Sequence, residues 1–132
     1  MCDTEAAYLA GLVDGDGCFG WNWQNSTIFL NVAMTHRPTI DWLAEHFGGR
    51  IHVNNKHEDD PTKKILYVWI VNASILREIL PRILPFLVTK AEQAQTIEQV
   101  FTLRTKTGKS STQTEQRLLY EHLRKLNQKG KI

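Results

Sequence analysis

Apolar positions change their spacing several times along the chain, and each change marks an element. Residues 6–15 are mostly helix-compatible, and Thr4 stands where an N-cap would satisfy open amides, so a short first helix is predicted, stopped by glycines at 15, 17 and 20. Over 18–24 the period drops to two. Phe19, Trp21 and Trp23 fall on one face and Cys18, Gly20, Asn22 and Gln24 on the other, as in a strand with one polar side. Asn25-Ser26 supplies a turn, and the β-branched and aromatic run 27–35 predicts a second strand paired with the first. Pro38 and Thr39 open a second helix carrying Ile40, Leu43 and Phe47 at helical spacing, ended by Gly48-Gly49.

Alternation returns over 50–56, with Ile51 and Val53 opposite Arg50, His52, Asn54 and Lys56, and a turn at 58–61 leads to a fourth strand over 64–71. Residues 73–84 form a third helix with Ile75, Ile79, Leu80 and Ile83 on its core face; Pro85 breaks it before a longer helix that begins near Thr89. A polar loop over 105–114 and an amphipathic helix over 115–127 complete the chain.

This order predicts an α+β fold in which short hairpins make an antiparallel sheet and the helices pack on one of its faces. The other face then carries Asn22, Gln24, Asn31, Arg50, His52 and Asn54, side chains able to pair with base edges in a major groove. Tyr67 and Trp69 on the fourth strand either share that face or belong to the core, whereas Trp21 and Trp23 are assigned to the core.

At 132 residues and 42% apolar, the chain has room for one domain with a real core, residues 1–132. No run of eighteen apolar residues and no signal-peptide layout occurs, so an intracellular protein without membrane contact is expected, in a bacterial or phage cytoplasm or an organelle. The two cysteines, Cys2 and Cys18, lack metal-ligand spacing and are expected as reduced thiols. Charge adds something only through its distribution. From Arg104 onward there are 8 basic residues against 2 acidic, leaving 8 against 12 before it, so residues 104–132 form a basic loop and helix in which Lys106 and Lys109 suit salt-sensitive phosphate contacts. An ordinary solvated helix face accounts equally well for any one of these residues. Gly108-Lys109-Ser110 lacks the first glycine and the preceding strand of a phosphate loop, which excludes a nucleotide cofactor.

The densest signal lies at residues 9–17, which read LAGLVDGDG. Ala7, Gly11 and Gly15 recur every four residues, a small-residue stripe that allows close approach of a second helix or packs into the chain's own core. Asp16 sits at the end of the helix, where open carbonyls already concentrate negative charge; a divalent cation held by its carboxylate and by a carbonyl such as that of Gly15 would relieve the repulsion. A calcium loop is a poor match, because Cys18 and Asn25 stand where oxygen ligands belong.

The segment resembles the signature of the LAGLIDADG homing endonucleases, with Val13 for Ile and Gly15 for Ala, and the element order is similar to that family's αββαββα fold with its saddle-shaped sheet. The resemblance implies a homodimer built on Ala7, Ala10, Gly11, Asp14 and Gly15, with Asp14 supporting the helix end. It also implies cleavage of double-stranded DNA at a long pseudo-palindromic site, leaving 3′ overhangs by a two-metal type of hydrolysis. Mg²⁺ is the implied cofactor, with Mn²⁺ substituting and Ca²⁺ binding without supporting cleavage. Asp16 would bind the metal with the carbonyl of Gly15. Lys90 matches a basic residue that would polarise a water or stabilise developing charge, and is otherwise a surface lysine near a helix start. His36 stands where the family commonly has Gln, either positioning the water, acting on a proton or serving structure. Ile40 stands where some relatives have an Arg, so part of the basic pocket is either missing or supplied by Arg37, which is counted with the DNA-binding residues. An RNA maturase and an inactive DNA-binding regulator are the alternatives on the same fold.

Overall fold

The computed structural model describes residues 2–54, 62, 64–107 and 112–129. Its order is α1 (Asp3–Asp16), β1 (Gly17–Asn22), β2 (Thr27–Met34), α2 (Arg37–Phe47), β3 (Arg50–Asn54), β4 (Leu66–Asn72), α3 (Ala73–Ile83), a 3-10 turn (Leu84–Phe86), α4 (Ala91–Thr107) and α5 (Gln113–Lys129). Four strands make one sheet in the order β1-β2-β4-β3, and every neighbouring pair is antiparallel. The expected α+β architecture is therefore present, with both predicted hairpin partnerships and an inner pairing of β2 with β4 that joins them.

Several boundaries differ from the sequence reading. Helix α1 begins three residues earlier than predicted, on the N-cap Cys2, so Thr4 lies inside it, and it runs through Asp16. Strand β1 stops at Asn22, because the Asn22 carboxamide oxygen accepts the Gln24 N–H at 3.1 Å and that of Asn25 accepts the Thr27 N–H at 3.2 Å. These local bonds offer the backbone an alternative to the ladder, and Ser26 completes the turn at φ 58°. The predicted loop at 105–107 is instead the last turn of α4, where the Thr105 hydroxyl donates to the Phe101 carbonyl at 2.8 Å.

The core lies between the helices and one face of the sheet. Phe19 and Trp21 from β1, Ile28, Leu30 and Val32 from β2, and Trp69 and Val71 from β4 are buried there against Leu9, Leu43, Leu76 and Ile83 from the helices. Trp69 is fully buried, and its indole N–H donates to the Gly48 carbonyl at 2.7 Å. That settles one alternative: Trp69 is core, and by strand alternation Tyr67 shares its face, so neither belongs to the open face of the sheet. The neighbouring Gly49 has φ +87°, and a Cβ there would meet the Ile70 carbonyl oxygen at 2.6 Å. Only glycine lets α2 turn into β3 so close to β4.

Helix α5 packs on α4 and reaches the free edge of β1, where the Asn127 amide donates to the Phe19 carbonyl at 3.0 Å. Between them lies Arg104, which the sequence placed at the start of a basic tail. It is 7% exposed and donates to the Gln116 carboxamide at 3.0 Å and the Ser26 hydroxyl at 2.8 Å, with its guanidinium 5.3 Å from the Trp21 ring centroid. Burial, with a lesser push from Arg77, lowers its pKa from the usual arginine value. Arg104 is a strut joining α4, α5 and the β1–β2 turn.

Candidate active site and nucleic-acid face

The C-terminal end of α1 is a tight junction. Gly17 closes it by donating its N–H to the Val13 carbonyl, and a Cβ on Gly17 would sit 2.7 Å from the Val13 Cα, so the glycine lets the chain pass directly from helix to strand. Asp14 points back into the molecule. One carboxylate oxygen accepts the Val88 N–H at 2.8 Å and the other the Lys90 N–H at 2.9 Å. The Lys90 ammonium in turn donates to the Asp14 carbonyl oxygen at 2.9 Å. Asp14 thus ties the segment before α4 to the end of α1, and Lys90 supplies a cation where the helix dipole is negative. The next two residues, Gly15 and Asp16, are both exposed.

Three of the expected site residues, Gly15, Asp16 and Lys90, therefore share one small region, and Asp14 is the device that gathers them. Substituting Asp14→Asn removes the charge and one of the two good acceptors. We expect a stability loss of about 1–3 kcal/mol in urea unfolding, because hydrogen bonds to charged groups carry that order of free energy.

His36 stands elsewhere within the chain. It occupies the N-cap position of α2, its Nδ1 lies 2.7 Å from the Thr39 hydroxyl, and it lines a depression with Thr4, Glu5, Tyr8 and Trp42. Tyr8 precedes Asp16 by about 12 Å along the α1 axis at the ordinary helical rise, so His36 neighbours the first half of the helix that ends on the carboxylate. Arg37 forms an exposed pair with Asp41 at 3.6 Å and lies 5.4 Å from the Tyr67 ring centroid. That position is on the helix-covered side, which corrects its expected place on the DNA face.

Along α1, Ala7, Gly11 and Gly15 form an exposed stripe, and a Cβ on either glycine would meet nothing within 4 Å. The stripe is thus turned away from the chain's own core. Ala10 is the exception among the expected seam residues: it is fully buried between α1 and the sheet and cannot lie on an outer surface. Asp14, partly buried and engaged with Val88 and Lys90, braces the helix end from within.

On the open sheet face, strand register puts Cys18, Asn31, Ile70 and Arg50 in one row across all four strands. His52 and Asn54 follow along β3 on the same side, and Asn22 lies at the far end of β1. Asn22, Asn31, Arg50, His52 and Asn54 are therefore brought together as expected. Gln24 is not, since it lies in the turn beside Gln113 and Gln116 of α5. Lys106 lies in α4, on the α3–α4 surface with Arg77 and Glu98, away from this face. Lys56 and Lys109 fall outside the described residues.

Among the described residues no three His, Cys, Asp or Glu side chains converge as a metal cage. One chain would thus offer a metal the Asp16 carboxylate and, at the helix end, the Gly15 carbonyl, those of Val13 and Asp14 being engaged by Gly17 and Lys90. These hard oxygen donors suit Mg²⁺ or Ca²⁺, which keep water and accept phosphate oxygens as further ligands.

A family model for a LAGLIDADG-like domain matches residues 3–84. The chain belongs to the LAGLIDADG family. The matched span runs from the start of α1 to the end of α3, so Lys90, α4 and α5 lie beyond it. Solved structures share the fold along nearly the whole chain. The homing endonuclease I-CvuI in complex with its target in the presence of calcium is 23% identical, with a TM-score of 0.75 over 94% of this chain and 82% of that one. The archaeal intron-encoded homing endonuclease I-Vdi141I complexed with DNA is 18% identical, with a TM-score of 0.71 over 94% and 84%. A further I-CvuI complex, formed with the I-CreI target in magnesium, holds DNA that is not cleaved. No curated protein matches the sequence.

Within a LAGLIDADG chain the signature could be read in one dimension, but two site features could not. The reach of Asp14 to Val88 and Lys90 spans 74 and 76 residues, and the only local hint was the acidic pair itself. The second is Phe29, whose ring covers Gly20 on the open sheet face. Alternation along β2 put Phe29 on that side, and the missing side chain at Gly20 was the one available clue.

Proposed function

We propose that the chain acts as a homodimer that makes a metal-dependent double-strand break in DNA at a long, roughly palindromic site, leaving short 3′ overhangs. The observation that carries this reading is the exposed Asp16 carboxylate at the end of a helix whose outward stripe is Ala7, Gly11 and Gly15, with Lys90 held two residues away. A second copy packed on that stripe would bring two such carboxylates to one axis, each facing one strand of a duplex. The Asp16 carboxylate and the Gly15 carbonyl would hold Mg²⁺, which supplies activation of water and stabilisation of the departing 3′ oxygen. Mn²⁺ is expected to substitute, and Ca²⁺ to bind without supporting cleavage.

The chain's own groups have separate tasks. Asp16 binds and, with the second copy, sets the separation of the two reacting strands. Lys90 offsets negative charge beside the phosphodiester. Asn31, Arg50, His52 and Asn54 present hydrogen-bonding groups to base edges. His36 of this chain stands beside the first half of α1 and is assigned to the structure of the α2 N-terminus, through Thr39.

A randomised duplex library incubated with the protein in Mg²⁺ tests the proposal. Sequencing of the cut ends is expected to return a two-fold symmetric consensus with 3′ overhangs, and chelation of the metal to abolish cutting. A library left intact in both Mg²⁺ and Mn²⁺, at a protein concentration that retains duplex DNA, would leave only binding and exclude the nuclease.

A further inference from the structure

The open face of the sheet carries polar groups along edge strand β3 and at Asn31 on inner strand β2, with apolar side chains between and around them. Inner strand β4 presents Leu66, Val68 and Ile70 to that face, each half-buried, in register with Asn54, His52 and Arg50 of edge strand β3. On the other inner strand, Ala33 and Asn31 lie beside Val68 and Ile70, and Phe29 follows. The Phe29 ring is laid over Gly20, where a Cβ would stand only 2.1 Å from its Cζ. Phe29, Ile70 and Arg50, with Thr27 and Asn72, bound a concavity of about 480 Å³ opening at one end of the same surface. The pattern is an apolar band flanked by hydrogen-bonding groups and a guanidinium.

A surface made only to read donors and acceptors has no use for this band. In a major groove the C5-methyl of thymine is the one apolar group larger than a hydrogen, while the donors and acceptors of the base edges would be left unpaired by an aliphatic side chain. We infer that Val68 and Ile70, continued by Leu66 and Phe29, read thymine methyl groups in the middle of each half-site, while Asn31, Arg50 and His52 read the flanking bases by hydrogen bonds. The inference rests on the DNA-binding reading given above and specifies the chemistry of its target. The strand order supports the division of labour between β4 and β3, because β4 is an inner strand and its apolar side chains lie beside Arg50 and His52 on the edge strand, while Asn31 is the polar position on the other inner strand.

The test replaces thymidine by deoxyuridine, which deletes the methyl and keeps every hydrogen-bonding group. Duplexes retained by the protein in Ca²⁺ are first selected from a randomised library, then resynthesised with single deoxyuridines. The selected half-sites are expected to share thymines, and each contacted thymine to lose about fourfold in affinity on substitution, the effect of exposing one buried methyl. In the Val68→Ser/Ile70→Ser double variant, which leaves no methyl at either position, the thymines that the parent reads through Val68 and Ile70 are expected to bind no better than uracil. The inference is overturned if a fully uracil-substituted duplex binds the unaltered protein as tightly as the thymine duplex, or if the double variant keeps the parent's full discrimination at every thymine. If no duplex is retained at all, the DNA-binding reading itself fails, which differs from duplexes that bind but ignore the methyl.

Discussion

Asp16→Asn is expected to leave the protein folded and bound to its duplex while lowering cleavage about a thousandfold or more. Asparagine keeps the size of the side chain and one carbonyl oxygen, so contacts that depend on shape survive. It loses the negative charge that holds a divalent cation beside the phosphodiester. A bound metal contributes several kcal/mol of charge stabilisation in the transition state, and each 1.4 kcal/mol is about tenfold in rate. Folding should respond in the opposite direction. Asp16 is exposed at the C-terminal end of α1, where negative charge is disfavoured, so its removal should raise stability by about 0.3–1 kcal/mol. A thermal melt, a filter-binding assay in Ca²⁺ and a cleavage time course in Mg²⁺ read the three effects separately. Cutting at the unaltered rate by Asp16→Asn would mean that the metal lies elsewhere.

Gly11→Leu is expected to separate the fold from the assembly. Nothing lies within 4 Å of a Cβ at Gly11, so a single chain accommodates the larger side chain, and replacing a mid-helix glycine should stabilise α1 by roughly 0.5–1 kcal/mol. Two helices packed on the Ala7, Gly11 and Gly15 stripe cannot accept it, because close backbone approach requires small residues at the contact. Sedimentation should therefore show a monomer that melts no lower than one subunit of the parent, with double-strand cleavage reduced at least a hundredfold. Ala10→Leu is the internal contrast: Ala10 is fully buried, so the added bulk strains the core by about 1–3 kcal/mol. A Gly11→Leu protein that still sediments as a dimer would sink the seam.

The helices and strands were legible because their residues repeat at the period of the element they form. Phe19 and Trp21 on β1, Ile51 on β3 and Ile79 and Ile83 on α3 all sit where alternation or helical spacing placed them. The ends were less legible. Asn22 and Asn25 cap a turn with their own side chains, a local competition that the alternation of 18–24 conceals. Thr105 and Lys106 read as loop residues, yet they continue α4, because the Thr105 hydroxyl bonds back to Phe101 and the helix is held by packing on α3 and α5. Trp69 was ambiguous beside Tyr67 on a strand with two alternate aromatics, and the Gly48 carbonyl that receives its indole decided its side.

By itself the sequence determined the element order, the antiparallel hairpins and the chemistry-bearing segment that ends on Asp16, since all of these rest on neighbours a few residues apart. Only the tertiary structure decided that Asp14 clasps Val88 and Lys90, that Ala10 turns inward while Gly11 turns outward, that Arg104 is a buried strut rather than a tail cation, and that an apolar band crosses the open sheet face. Each of these depends on which segments, distant in the chain, come into contact. A charge or an apolar side chain has its energetic meaning only once its surroundings are fixed, and those surroundings are assembled by the fold.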